Sequence, residues 1–122
     1  VWIGLQFADR ADMKALIDRR VDKMAEEGLL EEVQALLAMG LPRNATAMQA
    51  IGYKEAVAAV RGEASPQDAV AAIQLASRRY AKRQLTWLRR DPDLFWIRHE
   101  KTPDMDRACR LSTQFLSGRG IE

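Results

Sequence analysis

The chain has 122 residues, 48% apolar and 30% charged, with 19 basic against 17 acidic side chains and a net charge of +2. That balance suits one globular domain with a buried core and argues against disorder throughout. Cys109 and His99 are each the single residue of their type, which excludes an internal disulfide and a Cys/His metal cluster, and no apolar run approaches the ~20 residues of a membrane span.

The opening, VWIGLQFADRAD, has no basic segment leading into an apolar one and does not read as a signal peptide. The expectation is a cytoplasmic protein with no membrane contact. Residues 1–7 alternate bulky apolar residues with others and predict a short strand. One strand is not stable alone, so it is expected to complete a sheet whose other strands lie elsewhere. Residue 1 is not methionine and already sits in this strand-like run, so the sequence reads as part of a longer chain. Asp9 is a candidate N-cap for a helix in which Met13, Leu16, Ile17, Val21 and Met24 recur at helical spacing until Gly28. LLEEVQALLAMG predicts a second helix with Leu30, Val33, Leu36 and Leu37 on one face, ended by Gly40. LPRNAT follows as a loop.

TAMQAIGYKEAVAAVRG predicts two short helical pieces around Gly52, ending at Gly62. Ser65, Pro66 and Asp68 together mark a helix start: a capping hydroxyl, a first-turn proline and an acid at the positive end of the helix. Nothing breaks the pattern until about Arg90, so this is the longest helix, on the order of 25 residues. Asp91-Pro92-Asp93 ends it, LFWI (residues 94–97) predicts a second short strand, and Asp104 to Leu116 predicts a last helix. The chain is therefore mostly α.

Six of the 19 basic residues lie within RRYAKRQLTWLRR, residues 78–90, and the remainder of the chain is net acidic. At about 100° per residue, Arg78, Arg79, Lys82, Arg83, Arg89 and Arg90 share an arc of about 140°. Ile73, Tyr80, Trp87 and Leu88 fall on the other side, and the pattern predicts that they hold that side to the core. A solvated helix face is one reading. Against it, Arg78 with Lys82 and Arg79 with Arg83 are like-charged pairs four apart, which repel. A polyanion would convert the repulsion into binding by releasing counterions, and arginine suits phosphate oxygens. The negative end of the helix dipole accounts for part of the cluster.

Two smaller features each carry two readings. In QAIGYKE, residues 49–55, Gly52 permits close backbone approach, Tyr53 can stack on a base and Lys54 can reach a phosphate. The same residues also suit a glycine junction with a core tyrosine. Arg20 shares the stripe of Met13, Ile17 and Met24; its stem either lies along the core edge or its head meets an anion in a cleft. No nucleophile–base pair, glycine-rich phosphate loop or dinucleotide fingerprint is present, so a complete enzyme is not visible. The residues alone admit a non-catalytic helical module that binds nucleic acid or another polyanion through the 78–90 face, or a structural domain with an idle charged face.

RRVDKMAEEGLLEEVQALLAMGL, TAMQAIGYKE, GEAS and RRYAKRQLTWLRR followed by FWI resemble, in order and spacing, the C-terminal portion of the tRNA dimethylallyltransferases (tRNA isopentenyltransferase family). The resemblance extends to about Ile97. It implies the helical C-terminal part of a P-loop-type α/β enzyme, with strands at about 1–7 and 94–97 completing the sheet of the N-terminal half. It divides the chain into a core portion, 1–97, and a C-terminal helix and tail, 98–122.

The reaction implied is transfer of a dimethylallyl group from dimethylallyl diphosphate to N6 of adenosine 37 in tRNA, with Mg²⁺ required and diphosphate released. The P-loop and general-base aspartate belong to the N-terminal half, so this segment alone is expected to be inactive, and no Mg²⁺ ligand is identified in it. By resemblance Arg20 faces the diphosphate and stabilises it. Gln49, Ala50, Ile51, Gly52, Tyr53 and Lys54 match one stretch that touches the tRNA anticodon arm. Lys82, Arg83, Gln84, Leu85, Thr86, Trp87, Leu88 and Arg89 match a second. Leu16 stands where many members carry a basic residue, so no basic contact is implied there.

Overall fold

Local caps set most of the element boundaries. Residues 1–120 are described in a computed structural model. In chain order they form β1 (Ile3–Phe7), α1 (Arg10–Glu26), α2 (Leu29–Ala38), a 3₁₀ turn at Thr46–Gln49, α3 (Tyr53–Val60), α4 (Pro66–Leu88), β2 (Phe95–His99) and α5 (Met105–Gly118). Helix α1 begins where the Asp9 carboxylate accepts the Ala11 N–H at 2.9 Å. Helix α4 begins where the Ser65 hydroxyl accepts the Asp68 N–H at 3.0 Å, and α5 where Asp104 accepts the Arg107 N–H at 3.0 Å. Each bond satisfies an N–H that the first turn leaves without a partner. Helices α2 and α3 both end in Schellman turns, with Leu41 N–H on Leu36 C=O and Glu63 N–H on Ala58 C=O. Gly40 and Gly62 supply the left-handed residue that such a turn needs.

The fold is mostly helical, as expected, with one two-stranded parallel sheet. The two strands pair with each other, Ile3 opposite Phe95 through Phe7 opposite His99. The second strand starts one residue later than LFWI and runs two further, to His99. Among the described residues, no helix is long and apolar enough to cross a membrane.

The chain divides into two compact units, Leu16–Lys82 and Val1–Ala15 together with the chain from Arg83 onward. In the first, Val21, Leu29, Val33, Met48, Ala56, Val57 and Ile73 form the buried core, with Leu36, Leu37, Tyr53 and Val70 packed against it. A clamp ties α1 to α4 there. The Arg78 guanidinium donates to the Asp18 carboxylate, and the Gln74 amide donates to Asp18 C=O at 3.2 Å and to Asp22 at 3.0 Å.

In the second unit, Gly4, Leu94, Ile97, His99 and Ala108 are buried, and Phe95 stacks on Phe115 with ring centroids 4.3 Å apart. A Cβ on Gly4 would stand 2.5 Å from Leu94 Cδ2 and 2.9 Å from the Trp96 ring, so only glycine fits. The Arg107 guanidinium donates to Arg98 C=O at 2.9 Å, tying α5 to β2.

Two expectations for α4 are corrected. Ile73 is buried, but Tyr80 is 50% and Trp87 63% exposed, so the aromatic side of this helix is not held in the core among the described residues. Helical spacing specifies which residues share a side and not what covers it. The basic face is also less uniform than the spacing suggests, because Arg78 is half-buried against Asp18.

Candidate functional site

In the Leu16–Lys82 unit the candidate residues gather around the start of α3. Gly52 has φ 102° and ψ −54°, outside the space open to residues with a Cβ. Its N–H donates to the Glu55 carboxylate at 2.8 Å and its C=O accepts the Ala56 N–H at 3.0 Å. The glycine thus lets the chain leave the 3₁₀ turn and enter α3 within three residues. The Gln49 amide donates to Arg43 C=O at 3.0 Å, and Arg43 forms a two-pronged ion pair with Glu63. That pair holds the Arg43 guanidinium above its ordinary pKa and the Glu63 carboxyl below its own, chiefly through the hydrogen bonds between them.

Tyr53 is half-buried and its hydroxyl donates to Glu32 Oε1 at 2.9 Å. This bond, backed by the carboxylate charge, raises the phenol above its ordinary pKa. Tyr53, Ile51, Gly52, Met24, Leu29 and Glu32 line a cleft of about 280 Å³, with Glu27 and Gly28 completing it. Tyr53 packs against the core and also lines this cleft. Lys54 is exposed, and so is Arg20. Arg20 precedes Met24, a residue of the cleft wall, by four residues, so the two share one face of α1. Arg20 therefore stands one turn along α1 from the cleft wall.

The second stretch begins with Lys82, exposed at the end of this unit, and continues in the other. There Arg83, Gln84, Thr86, Trp87 and Arg89 are exposed while Leu85 and Leu88 are half-buried. The Arg89 guanidinium donates to Gln6 Oε1 at 3.5 Å. Trp2, Trp87, Leu88, Arg90, Asp91 and Leu94 line a cleft of about 300 Å³, with Trp2 58% exposed.

Sequence reasoning did not single out Glu32, Glu27 or Trp2. Glu32 reads as an ordinary acid near the start of α2, and its partner lies 21 residues away, so no local spacing reveals it. Among the described residues, no three His, Cys, Asp or Glu side chains converge as metal ligands would.

A family model described as IPP transferase matches residues 1–91. The chain belongs to that family. Within it, the chain is 38% identical over 121 residues to the tRNA dimethylallyltransferase of Acetivibrio thermocellus, covering 99% of this chain and 38% of that protein. It is 51% identical over 89 residues to the tRNA dimethylallyltransferase of Carboxydothermus hydrogenoformans, covering 73% of this chain and 28% of that protein. Among solved structures, the full-length tRNA isopentenylpyrophosphate transferase from Bacillus halodurans superposes with a TM-score of 0.86 at 38% identity. That superposition covers 97% of this chain and 38% of the other. The chain thus spans well under half the length of the family members it matches.

Proposed function

We propose that this chain is the tRNA-gripping and diphosphate-facing portion of a tRNA prenyltransferase, one that moves a dimethylallyl group from dimethylallyl diphosphate to N6 of adenosine 37. The observation that carries the proposal is the family match across nearly the whole chain, including the stretches in which the exposed Arg20, Lys54 and Arg89 occur. In this reading a P-loop half supplies the general base. The carbon–oxygen bond to diphosphate breaks, the bond from N6 to the allylic carbon forms, and N6 gives up a proton. Arg20 offsets the negative charge that grows on the departing diphosphate. Residues 49–54 contact the anticodon arm, and Lys82, Arg83 and Arg89 meet backbone phosphates. Mg²⁺, when present, neutralises the diphosphate; nothing in this chain's own chemistry is routed through it. The protein works in the cytoplasm.

Arg20→Ala in the complete enzyme tests the assignment. Single-turnover transfer should slow by about 100-fold or more while tRNA affinity is kept. Lost tRNA binding with normal transfer would contradict the role. This segment alone should bind an anticodon stem-loop weakly, in preference to duplex DNA or an acidic protein across a salt series, and should transfer no prenyl group. Equal binding to all polyanions would favour a non-catalytic module.

A further inference from the structure

We infer that the cleft beside α3 takes one unpaired base of the bound RNA, with the Tyr53 ring as its stacking platform and Glu32 as acceptor for an exocyclic amino group. This rests on the RNA-binding role proposed for residues 49–54 and names what one of those residues does.

Size, lining and charge each point the same way. The cleft measures about 280 Å³, near the lower limit of small-molecule sites, about 300 Å³, and so suits a single ring system rather than an extended ligand. Its walls include Tyr53 with Met24, Leu29 and Ile51, and Gly28 and Gly52 close it. Flat aromatic and apolar surfaces of this kind receive unstacked bases. The charged residues in the lining are Glu27 and Glu32, and no cation is among them. A phosphate is therefore repelled and a base edge carrying N–H donors is attracted. Lys54 follows Tyr53, is exposed and lies outside the lining, where it suits the phosphate of the same nucleotide.

Glu32 also orients the ring. Its Oε1 accepts the Tyr53 hydroxyl at 2.9 Å, which restrains the ring against rotation. An ionised carboxylate has about four lone-pair sites, so Glu32 can take a second donor. Adenine, cytosine and guanine each carry an exocyclic amino group and uracil carries none. The site is thus built for an amino-bearing base.

The test uses the complete enzyme and anticodon stem-loops in which each unpaired position is made abasic in turn. One abasic position should weaken binding by about tenfold, and Tyr53→Ala should erase that difference. Tyr53→Phe, which keeps the ring and serves if the alanine variant fails to fold, should retain it. At the same position, exchanging an amino-bearing base for uracil should weaken binding to the parent and not to Glu32→Ala, which removes both acceptor oxygens. Stem-loop binding in which Tyr53→Ala or Glu32→Ala responds to every position as the parent does would overturn the base site alone. No binding of any stem-loop by the parent would overturn the RNA-binding role and the base site together.

Discussion

Replacing Gly52 with alanine separates backbone strain from crowding. The nearest atom to a Cβ built there is Met24 Cε, at 3.9 Å, an ordinary contact. Whatever the substitution costs therefore arises from the backbone at φ 102° and ψ −54°. Residues forced into such regions cost about 1–3 kcal/mol, equivalent to about 5- to 150-fold in an equilibrium. The strain falls on the junction itself. The Ala56 N–H to Gly52 C=O bond and the Gly52 N–H to Glu55 bond both require the native backbone angles. Amide hydrogen exchange over residues 49–60 reads this locally, and Gly52→Ala should lower protection there by that factor. Gly118→Ala, at a helical glycine with ordinary φ and open space around it, should leave protection unchanged or raised. Unchanged protection at residues 49–60 in Gly52→Ala, or an equal loss in both variants, would refute the strain argument.

Two further outcomes follow from packing and charge. Gly4→Ala forces a Cβ against Leu94 and Trp96 and should destabilise the β1–β2 unit by about 1–3 kcal/mol, as overpacking does; urea denaturation should show partial recovery when Leu94→Ala is added. The Arg43 hydrogen bonds hold the Glu63 carboxyl below its ordinary pKa, so their stabilisation is complete above the ordinary carboxylate range and is lost as pH falls through the lowered value. A carboxyl NMR titration should place Glu63 below a free glutamate, and Arg43→Gln should return it upward; identical titrations in the two proteins would rule out the pair in solution.

Much of the fold is written in short-range signals. Asp9, Ser65 and Asp104 cap their helices within three residues, and Gly40 and Gly62 end theirs within five. Such signals act between neighbours, so element type and order are legible without tertiary information. The shift of the second strand to Phe95–His99 has the opposite origin. Its limits come from pairing with Ile3–Phe7, and a strand takes its length from its partner.

The candidate site divides the same way. The family match, the cations of residues 78–90 and the glycine in QAIGYK are properties of the chain as a string. Which cations remain exposed is not, because Asp18 meets Arg78 across 60 residues and nothing near Arg78 announces the pairing. Exposure of Tyr80 and Trp87 was equally hidden: helical spacing gathers an apolar side but cannot supply its cover. The chain alone determined the helices, their caps and the gathering of cations in residues 78–90. Tertiary contact alone set Glu32 against Tyr53 and Asp18 against Arg78, since each depends on segments brought together only when the core closes.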